Sequence, residues 1–320
     1  MYRPQIKVTD CTIRDGGLMN NSKFPLSTVR NVYRAVCDSG VDIVELGYRN
    51  SREMFSPKEY GPWRFTSDAD IRKVIKGIKT KNTGTKIAVM QDAHKAAAED
   101  VAPKKDSPVD LIRVATYVKD VDKAINLANN ATKKGYEATI NIMSISQAIE
   151  WELDEALDQI EKETDVRAVY VVDSFGALYS EDIDFYVSKY RKHIRKKEIG
   201  VHCHNHQQLA FANTIEGIIQ NANYVDGTLY GMGRAAGNCP LELLVSFLKN
   251  PKFNIRPLLD VIGKEIIPLS RKIHWGYCVP YMIAGTLNIH PKIAMEHMSM
   301  PDSKKEKFDY VKFYEKATAD

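Results

Sequence analysis

The sequence predicts an α/β protein, a (β/α)8 TIM barrel followed by a C-terminal helical extension. Two observations support this prediction. Short apolar runs alternate with helical segments along roughly the first 250 residues, which is the chain length that such a barrel needs. A doubly wound open sheet would usually carry a GxGxxG phosphate loop after its first strand, whereas this chain has Asp15-Gly16-Gly17 there.

Eight segments are predicted to be buried strands because they are short and largely apolar. The run Val169-Tyr170-Val171-Val172 is a clear case, since a strand covered on both faces reads as a nearly continuous hydrophobic stretch. The predicted strands are residues 6–13, 41–48, 86–91, 111–117, 138–144, 168–175, 200–205 and 224–230.

Segments with helical character lie between these strands. Asp120-Val121-Asp122 and Ser180-Glu181-Asp182 are good helix starts, because acidic side chains suit the first turn. The predicted helices are residues 28–39, 70–79, 96–102 (the weakest), 121–134, 146–163, 180–197, 208–220 and 241–249.

The alternation ends at Asn250-Pro251-Lys252, and the rest of the chain reads as helical. Three further helices are predicted there, at residues 258–266, 281–287 and 292–300. We therefore predict a barrel catalytic domain at residues 1–250 and a helical extension at residues 251–320.

The composition is that of an ordinary globular protein, 44% hydrophobic and 27% charged, with a formal net charge of +4. The basic run at residues 191–197 ends a predicted helix, where cations suit the helix dipole, so no nucleic-acid partner is expected. Five cysteines without CxxC spacing favour a reducing cytoplasmic location over a disulfide framework. No apolar run approaches membrane length, so no membrane partner is expected.

A candidate metal site lies at the end of the seventh predicted strand. His202 and His204 are two residues apart, so they point to the same face of a strand. Asp15, after the first strand, can join them, because barrel active sites form where the strands end. One carboxylate and two neutral imidazoles leave coordination positions open for water and substrate. On spacing alone, a polar strand end facing water remains the alternative.

Other polar residues gather at the same end of the predicted barrel. A chance surface distribution would not favour one end, so this clustering supports an active site there. The residues concerned are Arg14, Glu45, Tyr48, Arg49, Asp173, Ser174 and the glycine-rich segment 231–238.

Several ordered motifs together resemble the metal-dependent aldolase and synthase barrels that include hydroxymethylglutaryl-CoA lyase and isopropylmalate synthase. The likeness is strongest to the 4-hydroxy-2-oxovalerate aldolases. It rests on residues 9–17, 170–178, 202–205 and 231–241, with counterparts also at 111–116 and 276–281.

The resemblance implies site roles for individual residues. Asp15, His202 and His204 match the metal ligands, and Asn238 matches an asparagine at or near the metal, with a clamp inside its loop as the alternative. The implied catalytic residues are Arg14, which would neutralise an enolate or alkoxide oxygen, and Tyr281. The implied substrate-binding residues are Arg14, Ser174, His202, Tyr281 and Glu45, although Glu45 is expected to form a buried pair with Arg14.

The activity that the resemblance implies is that of a divalent-metal-dependent aldolase. It would act through the enolate of a 2-oxo acid, with pyruvate the expected acid and an aldehyde as second product or acceptor. Mn²⁺ is the expected metal, and Mg²⁺, Co²⁺ or Zn²⁺ are open alternatives. A dehydrogenase partner and a homo-oligomer are also implied. The alternatives are a Claisen-type synthase that uses an acyl-CoA, and a metal-binding barrel that has lost turnover.

The chain departs from the aldolase pattern at Leu18, where those enzymes carry a histidine base. Leucine cannot move a proton, so another group must do so. The candidate side chains are His206, His94, Tyr48 and Tyr281, and a metal-bound water is a further alternative. Cys239 lies at the wrong offset to match the catalytic cysteine of the lyases and reads better as a small buried thiol.

A long aromatic and basic loop follows the second strand at residues 48–65. Loops of this length on the active face of a barrel commonly shape specificity. Arg49, Arg52 and Arg64 either meet an anionic acceptor or lie on the surface as solvated arginines.

Overall fold

The computed structural model describes residues 1–81 and 84–319, and its centre is a closed barrel of eight strands. Each strand pairs in parallel with its neighbours in sequence, and β1 closes the barrel on β8 from Lys7↔Tyr224 to Asp10↔Gly227. The predicted fold class is confirmed. The strands are β1 Lys7–Asp10, β2 Ile43–Tyr48, β3 Lys86–Asp92, β4 Leu111–Thr116, β5 Glu137–Ile142, β6 Ala168–Asp173, β7 Glu198–Cys203 and β8 Tyr224–Gly227.

The alternation of side chains along the strands separates two buried regions. Val169 and Val171 belong to the large core between the strands and the outer helices, while Tyr170 and Val172 pack in a smaller cluster inside the barrel. The barrel interior also holds charged side chains, among them the fully buried Arg113. The strands are therefore buried on both faces, as their apolar runs predict.

Helices cover the outside of the barrel and continue beyond β8. The short α1 was not predicted, since residues 6–13 were expected to form one strand. In the structure the first strand ends at Asp10, and the Asp10 carboxylate accepts a hydrogen bond from the Thr12 amide, which starts a turn. The helices are α1 Thr12–Gly16, α2 Leu26–Asp38, α3 Asp68–Ile75, α4 Val121–Lys133, α5 Glu150–Glu163, α6 Ser180–His193, α7 Ala210–Ile219, α8 Leu241–Leu248, α9 Arg256–Val261, α10 Ile267–Ser270, α11 Val279–Thr286, α12 Lys292–Met298 and α13 Tyr310–Ala319.

The crossover from β3 to β4 differs from its prediction. Instead of a helix at residues 96–102, it contains only the single 3₁₀ turns Ala98–Asp100 and Lys104–Asp106. The Asp100 carboxylate accepts a hydrogen bond from the Ala97 amide, 2.8 Å away, and Pro103 lies three residues further on. Proline disfavours helical conformation in the residue before it, so the segment cannot extend beyond one turn.

The C-terminal segment packs against the barrel through polar and apolar contacts. Glu265, in a π-helical turn at Ile262–Ile266 between α9 and α10, accepts hydrogen bonds at 2.7 Å from Thr28 and Asn31 of α2. Helices α11 to α13 form a second apolar cluster that includes Ala235, Ala236, Tyr281 and Phe313. The sequence did not indicate α13, and the division at residue 250 stays a prediction. Within the described ranges, no helix is long and apolar enough to cross a membrane.

Candidate metal centre and active site

Three predicted ligands meet at the carboxyl end of the barrel. Asp15 lies on α1 directly after β1, His202 lies in β7, and His204 lies just past β7, where a single bridge ties it to Asn238. One ligand atom from each side chain lies within 4.8 Å of the other two. The Nε2 atoms of His202 and His204 are 3.5 Å and 3.9 Å from Asp15 Oδ2. The three side chains therefore lie close together, as the sequence predicts.

The Nδ1 atom of each histidine, which faces away from Asp15, is hydrogen-bonded to another part of the protein. His202 Nδ1 donates to Asp226 Oδ2 at 2.9 Å, because an ionised carboxylate can only accept. His204 Nδ1 donates to the backbone oxygen of Asp173, also at 2.9 Å. Each imidazole therefore points Nε2 at Asp15, and His202 Nε2 is buried without a hydrogen-bond partner. Histidine metal ligands are oriented in this way, so the donor set fits a metal ion.

The pKa shifts of Asp15 and His204 also favour metal binding. Burial raises the pKa of Asp15, but Arg14 and His202 lower it more, so that pKa lies well below its usual range. Burial lowers the pKa of His204 well below its usual range. Burial also lowers the pKa of His202, but the neighbouring Asp15 and Asp226 carboxylates outweigh this and raise it. At neutral pH, Asp15 is a carboxylate and His204 is neutral, while a proton competes for His202.

A closed ring of buried ionisable side chains lies around the site. Arg14 contacts Asp15 at 2.5 Å and Glu45 at 2.7 Å. Arg113 contacts the same Glu45 oxygen at 3.1 Å and Asp226 at 2.5 Å, and Asp226 leads back to His202. Because each charge has partners on both sides, the ring fixes the orientation of Asp15, Arg14 and His202.

The glycine-rich loop after β8 lies directly against Asp15. A Cβ atom on Gly233 would come within 2.9 Å of Asp15 Oδ1 and 2.1 Å of Asn238 Nδ2, so only glycine fits there. Asn238 Nδ2 donates to the Met232 backbone oxygen at 3.3 Å, which is the clamp that the sequence suggests. Its Oδ1 atom is buried without a partner, so its role as a metal ligand stays a prediction.

A cavity of about 190 Å³ opens over the three ligands. Of the predicted site residues, Arg14, Asp15, Ser174, His202 and His204 line it. Several other residues that line the cavity were not predicted from the sequence. Asp92 could have been predicted, because it lies at the end of β3 where barrel active sites form, whereas nothing in the sequence indicates that His290 of the C-terminal segment reaches the cavity. The lining residues in this group are Asp92, Lys95, Asn141 and His290.

Two predicted substrate contacts do not line the cavity. Glu45 is fully buried beneath Arg14, so it can act on a ligand only through Arg14. Tyr281 packs among the C-terminal helices, 6.2 Å between ring centroids from His206, and burial raises its pKa to about 12. Both side chains lie behind the cavity wall; for Glu45 this is the expected buried pair with Arg14, and for Tyr281 the substrate contact that the resemblance implies stays a prediction.

Of the four candidates for the missing base, Tyr48 alone lines the cavity, beside Leu18. His206 is fully buried with its pKa lowered to about 3, chiefly by burial, and Tyr281 lies behind the wall. His94 pairs with Asp120 at 3.2 Å. Cys239 is also fully buried, and burial raises its pKa to about 12, which agrees with an unreactive thiol.

Comparison with known proteins decides the family. A family model described as HMGL-like matches residues 5–262. The chain belongs to the HMGL-like family. The predicted resemblance is thereby confirmed, and it extends from the first strand into the C-terminal segment of this HMGL-like protein.

Curated relatives of this HMGL-like chain carry the names of two activities. A 4-hydroxy-2-oxovalerate aldolase from Thermus thermophilus is 28% identical over 267 residues, which are 82% of this chain and 75% of that protein. An oxaloacetate decarboxylase from Mycobacterium tuberculosis is 29% identical over 242 residues, 76% of this chain and 69% of that protein.

Solved structures share the architecture. The N-terminal domain of a candidate aldolase from Bacteroides vulgatus has a TM-score of 0.80 and 30% identity, and the match covers 92% of this HMGL-like chain and 97% of that one. A hydroxymethylglutaryl-CoA lyase from Pseudomonas aeruginosa has a TM-score of 0.66 at 14% identity, covering 84% and 94% of the two chains, and it shares the fold.

Proposed function

We propose that this protein is a divalent-metal-dependent carbon–carbon lyase that acts through the enolate of a 2-oxo acid, with pyruvate as that acid and an aldehyde as second product or acceptor. The observation that carries the proposal is the convergence of Asp15, His202 and His204 in a cavity that Arg14 also lines. The related aldolase and decarboxylase names support the lyase over the synthase alternative.

Asp15, His202 and His204 would hold the metal, and Asn238 lies next to Asp15. Nitrogen and oxygen donors suit several divalent ions; we propose Mn²⁺, with Mg²⁺, Co²⁺ and Zn²⁺ as alternatives. When bound, the metal supplies a Lewis acid that polarises the carbonyl group of the 2-oxo acid.

Arg14 is the residue that we propose stabilises the reacting oxygen. Its guanidinium is always charged, and its bonds to Glu45 and Asp15 fix it in place before substrate arrives. A fixed charge aimed at an oxygen that becomes negative costs no reorganisation during the reaction, and one such donor is worth about 2.7 to 4 kcal/mol of barrier in well-studied enzymes. Glu45 is then a positioning residue rather than a substrate contact.

Ser174 and Tyr48 complete the proposed machinery. Ser174 Oγ accepts a hydrogen bond from the Ser144 amide at 2.8 Å, so its own hydroxyl hydrogen is left to donate to a substrate oxygen. Burial raises the pKa of Tyr48, so its phenol is protonated at neutral pH and can deliver a proton to carbon. Tyr48 would therefore serve as the proton donor to the enolate carbon; as a neutral phenol it does not take over the proton-accepting role of the histidine that the aldolases carry at the position of Leu18.

Exchange of the pyruvate methyl protons for deuterium tests this function. Wild-type protein with Mn²⁺ should catalyse the exchange, chelation of the metal should stop it, and D15N should lose it while keeping its circular dichroism spectrum. Absence of exchange with Mn²⁺, Mg²⁺, Co²⁺ and Zn²⁺ would refute the proposal. Thiol release from acyl-CoA in the presence of 2-oxo acids would favour the synthase, and pathway function that survives D15N would favour a barrel without turnover.

We also propose a cytoplasmic homo-oligomer that passes its aldehyde to a dehydrogenase. The five cysteines are all free, and four of them are buried, which suits a reducing compartment. Sedimentation of the purified protein measures the assembly state, and co-purification from cells measures the dehydrogenase contact.

A further inference from the structure

Arg64 lines the same cavity as the three metal-site residues, yet it has no acidic partner within residues 1–81 and 84–319. Its exposed fraction is only 7%. A buried guanidinium is almost always paired, because taking its charge out of water is costly. The lack of a partner therefore points to an anion that the protein binds from outside.

The backbone holds Arg64 in place. It ends the 3₁₀ turn Pro62–Arg64, and the buried Trp63 donates from its indole to the Phe24 backbone oxygen at 2.8 Å. The Arg64 backbone oxygen accepts from the Asn50 amide at 3.3 Å, which ties the turn to the segment that follows β2. Arg64 is therefore presented by an anchored turn rather than by a loose loop.

Aromatic rings occupy the surroundings of the Arg64 guanidinium but not its hydrogen-bond donors. Its central carbon lies 5.0 Å from the Tyr48 ring centroid, 5.1 Å from that of Phe55 and 4.9 Å from that of Tyr60. Ring faces attract the cation, but the N–H donors lie in the guanidinium plane and need oxygen acceptors. The Nε atom is buried and has no acceptor. An anion at this edge would supply one.

The other cations of the cavity are mostly neutralised nearby. Arg14 contacts Asp15, and Lys95 contacts Asp92 at 2.6 Å. Arg234 also has no acidic partner in the described ranges, but it donates to the Ser174 backbone oxygen at 3.2 Å. Among the arginine and lysine side chains of the described residues that line this cavity, Arg64 is the one with neither an acidic partner nor a hydrogen bond to a protein oxygen.

Tyr48 places Arg64 next to the proposed reaction centre. The Arg14 guanidinium carbon lies 5.9 Å from the centroid of the ring that Arg64 also approaches, at 5.0 Å. Arg14 and Arg64 also line one cavity, so Arg64 is available to the far end of a 2-oxo acid whose reacting oxygen is bound at Arg14.

We propose that Arg64 binds a second anionic group, a carboxylate or a phosphate, at the far end of the 2-oxo acid. This inference rests on the proposed function, since it assumes a 2-oxo acid at Arg14. It makes Arg64 a specificity-determining residue and favours a dianionic substrate over one with a neutral chain.

Isothermal titration calorimetry of the Mn²⁺-loaded protein tests the proposal with probes matched in length. In one pair, 2-oxoglutarate is compared with 2-oxopentanoate, which has a methyl group in place of the distal carboxylate. In the other, phosphonopyruvate is compared with 2-oxobutyrate, so the two pairs distinguish a carboxylate from a phosphate. At least one anionic probe should bind about tenfold or more tightly than its neutral partner, a difference of about 1.4 kcal/mol.

Variants assign that preference to a residue. R64Q should abolish it, and R64K should keep part of it because the charge remains while the fork of donors is lost. R52Q is the matched control, since Arg52 is an exposed arginine of the same loop that lies over Phe65 and does not line the cavity.

The inference is wrong if neither anionic probe is preferred by the wild type, a comparison that needs no variant to fold. It is also wrong if the preference survives R64Q or disappears equally in R52Q. Deuterium exchange into pyruvate, which has no distal group, distinguishes failure of the Arg64 proposal from failure of the lyase proposal. If the protein catalyses the exchange but shows no preference for an anionic probe, only the role of Arg64 is wrong.

Discussion

Replacing Arg113 by lysine tests the buried charge ring most directly. Arg113 is fully buried, donates from Nη1 to Glu45 and from Nη2 to Asp226, and lies 4.7 Å from the Tyr170 ring centroid. Lysine keeps the positive charge, but one compact ammonium cannot reproduce a planar fork that reaches two carboxylates on opposite sides.

The size of the effect follows from the bonds lost. A hydrogen bond to a charged group is worth about 1.5 to 3 kcal/mol, and leaving a buried acceptor unsatisfied adds to the loss. R113K should therefore lower the free energy of unfolding by about 2 to 4 kcal/mol, a large share of the roughly 5 to 15 kcal/mol of a typical domain. The matched change R167K affects an arginine that is 59% exposed and 3.6 Å from Glu137, so its cost should stay below about 0.5 kcal/mol.

Urea unfolding of the metal-free proteins at pH 7, followed by far-ultraviolet circular dichroism, measures both costs. Similar slopes against denaturant for wild type and variants would show that the native state alone has changed. The reasoning is refuted if R113K is no more destabilising than R167K, since the ring would then contribute no more than an exposed ion pair.

Three further outcomes follow from the same structure. Because the pKa of His202 is raised in the metal-free site, Mn²⁺ affinity should fall as pH drops through that pKa, and D226N, which removes one cause of the increase, should move the loss to lower pH in calorimetric titrations. Burial raises the pKa of Asp10 from 3.8 to about 7, so between these pH values the folded state binds more protons than the unfolded state. The unfolding free energy of wild type relative to D10N should therefore fall as pH rises from about 4 to about 7. A difference that does not change with pH would contradict this pKa assignment. A Cβ atom on Gly200 would lie 2.6 Å from the Tyr170 ring, so G200A should cost about 1 to 3 kcal/mol in urea unfolding, whereas G263A, where nothing lies within 4 Å, should not show this clash.

The positions of the ligands could be predicted because strand periodicity and barrel geometry are local and general rules. His202 and His204 share a face because they lie two residues apart, and Asp15 meets them because every strand of the barrel ends at the same mouth. The helix predicted at residues 96–102 was wrong because its helical preference is weak and Pro103 disfavours helical conformation in the residue before it, so only one 3₁₀ turn forms there.

The partners behind the site could not be predicted in the same way. Arg113 in β4 and Asp226 in β8 are 113 positions apart in sequence, and nothing local indicates that they meet inside the barrel. The expected buried pair between Glu45 and Arg14 is present, whereas the position of Tyr281 behind the cavity wall depends on how the C-terminal helices dock.

The sequence by itself determined the fold, the three candidate metal ligands and the absence of the usual histidine at the position of Leu18, since periodicity, strand order and residue type are properties of the chain. Only the tertiary structure decided that Arg14 is held by Glu45, that Tyr48 reaches the cavity and that Arg64 enters it without an acidic partner. These facts concern distances between side chains on different elements, and such distances exist only after the barrel has closed.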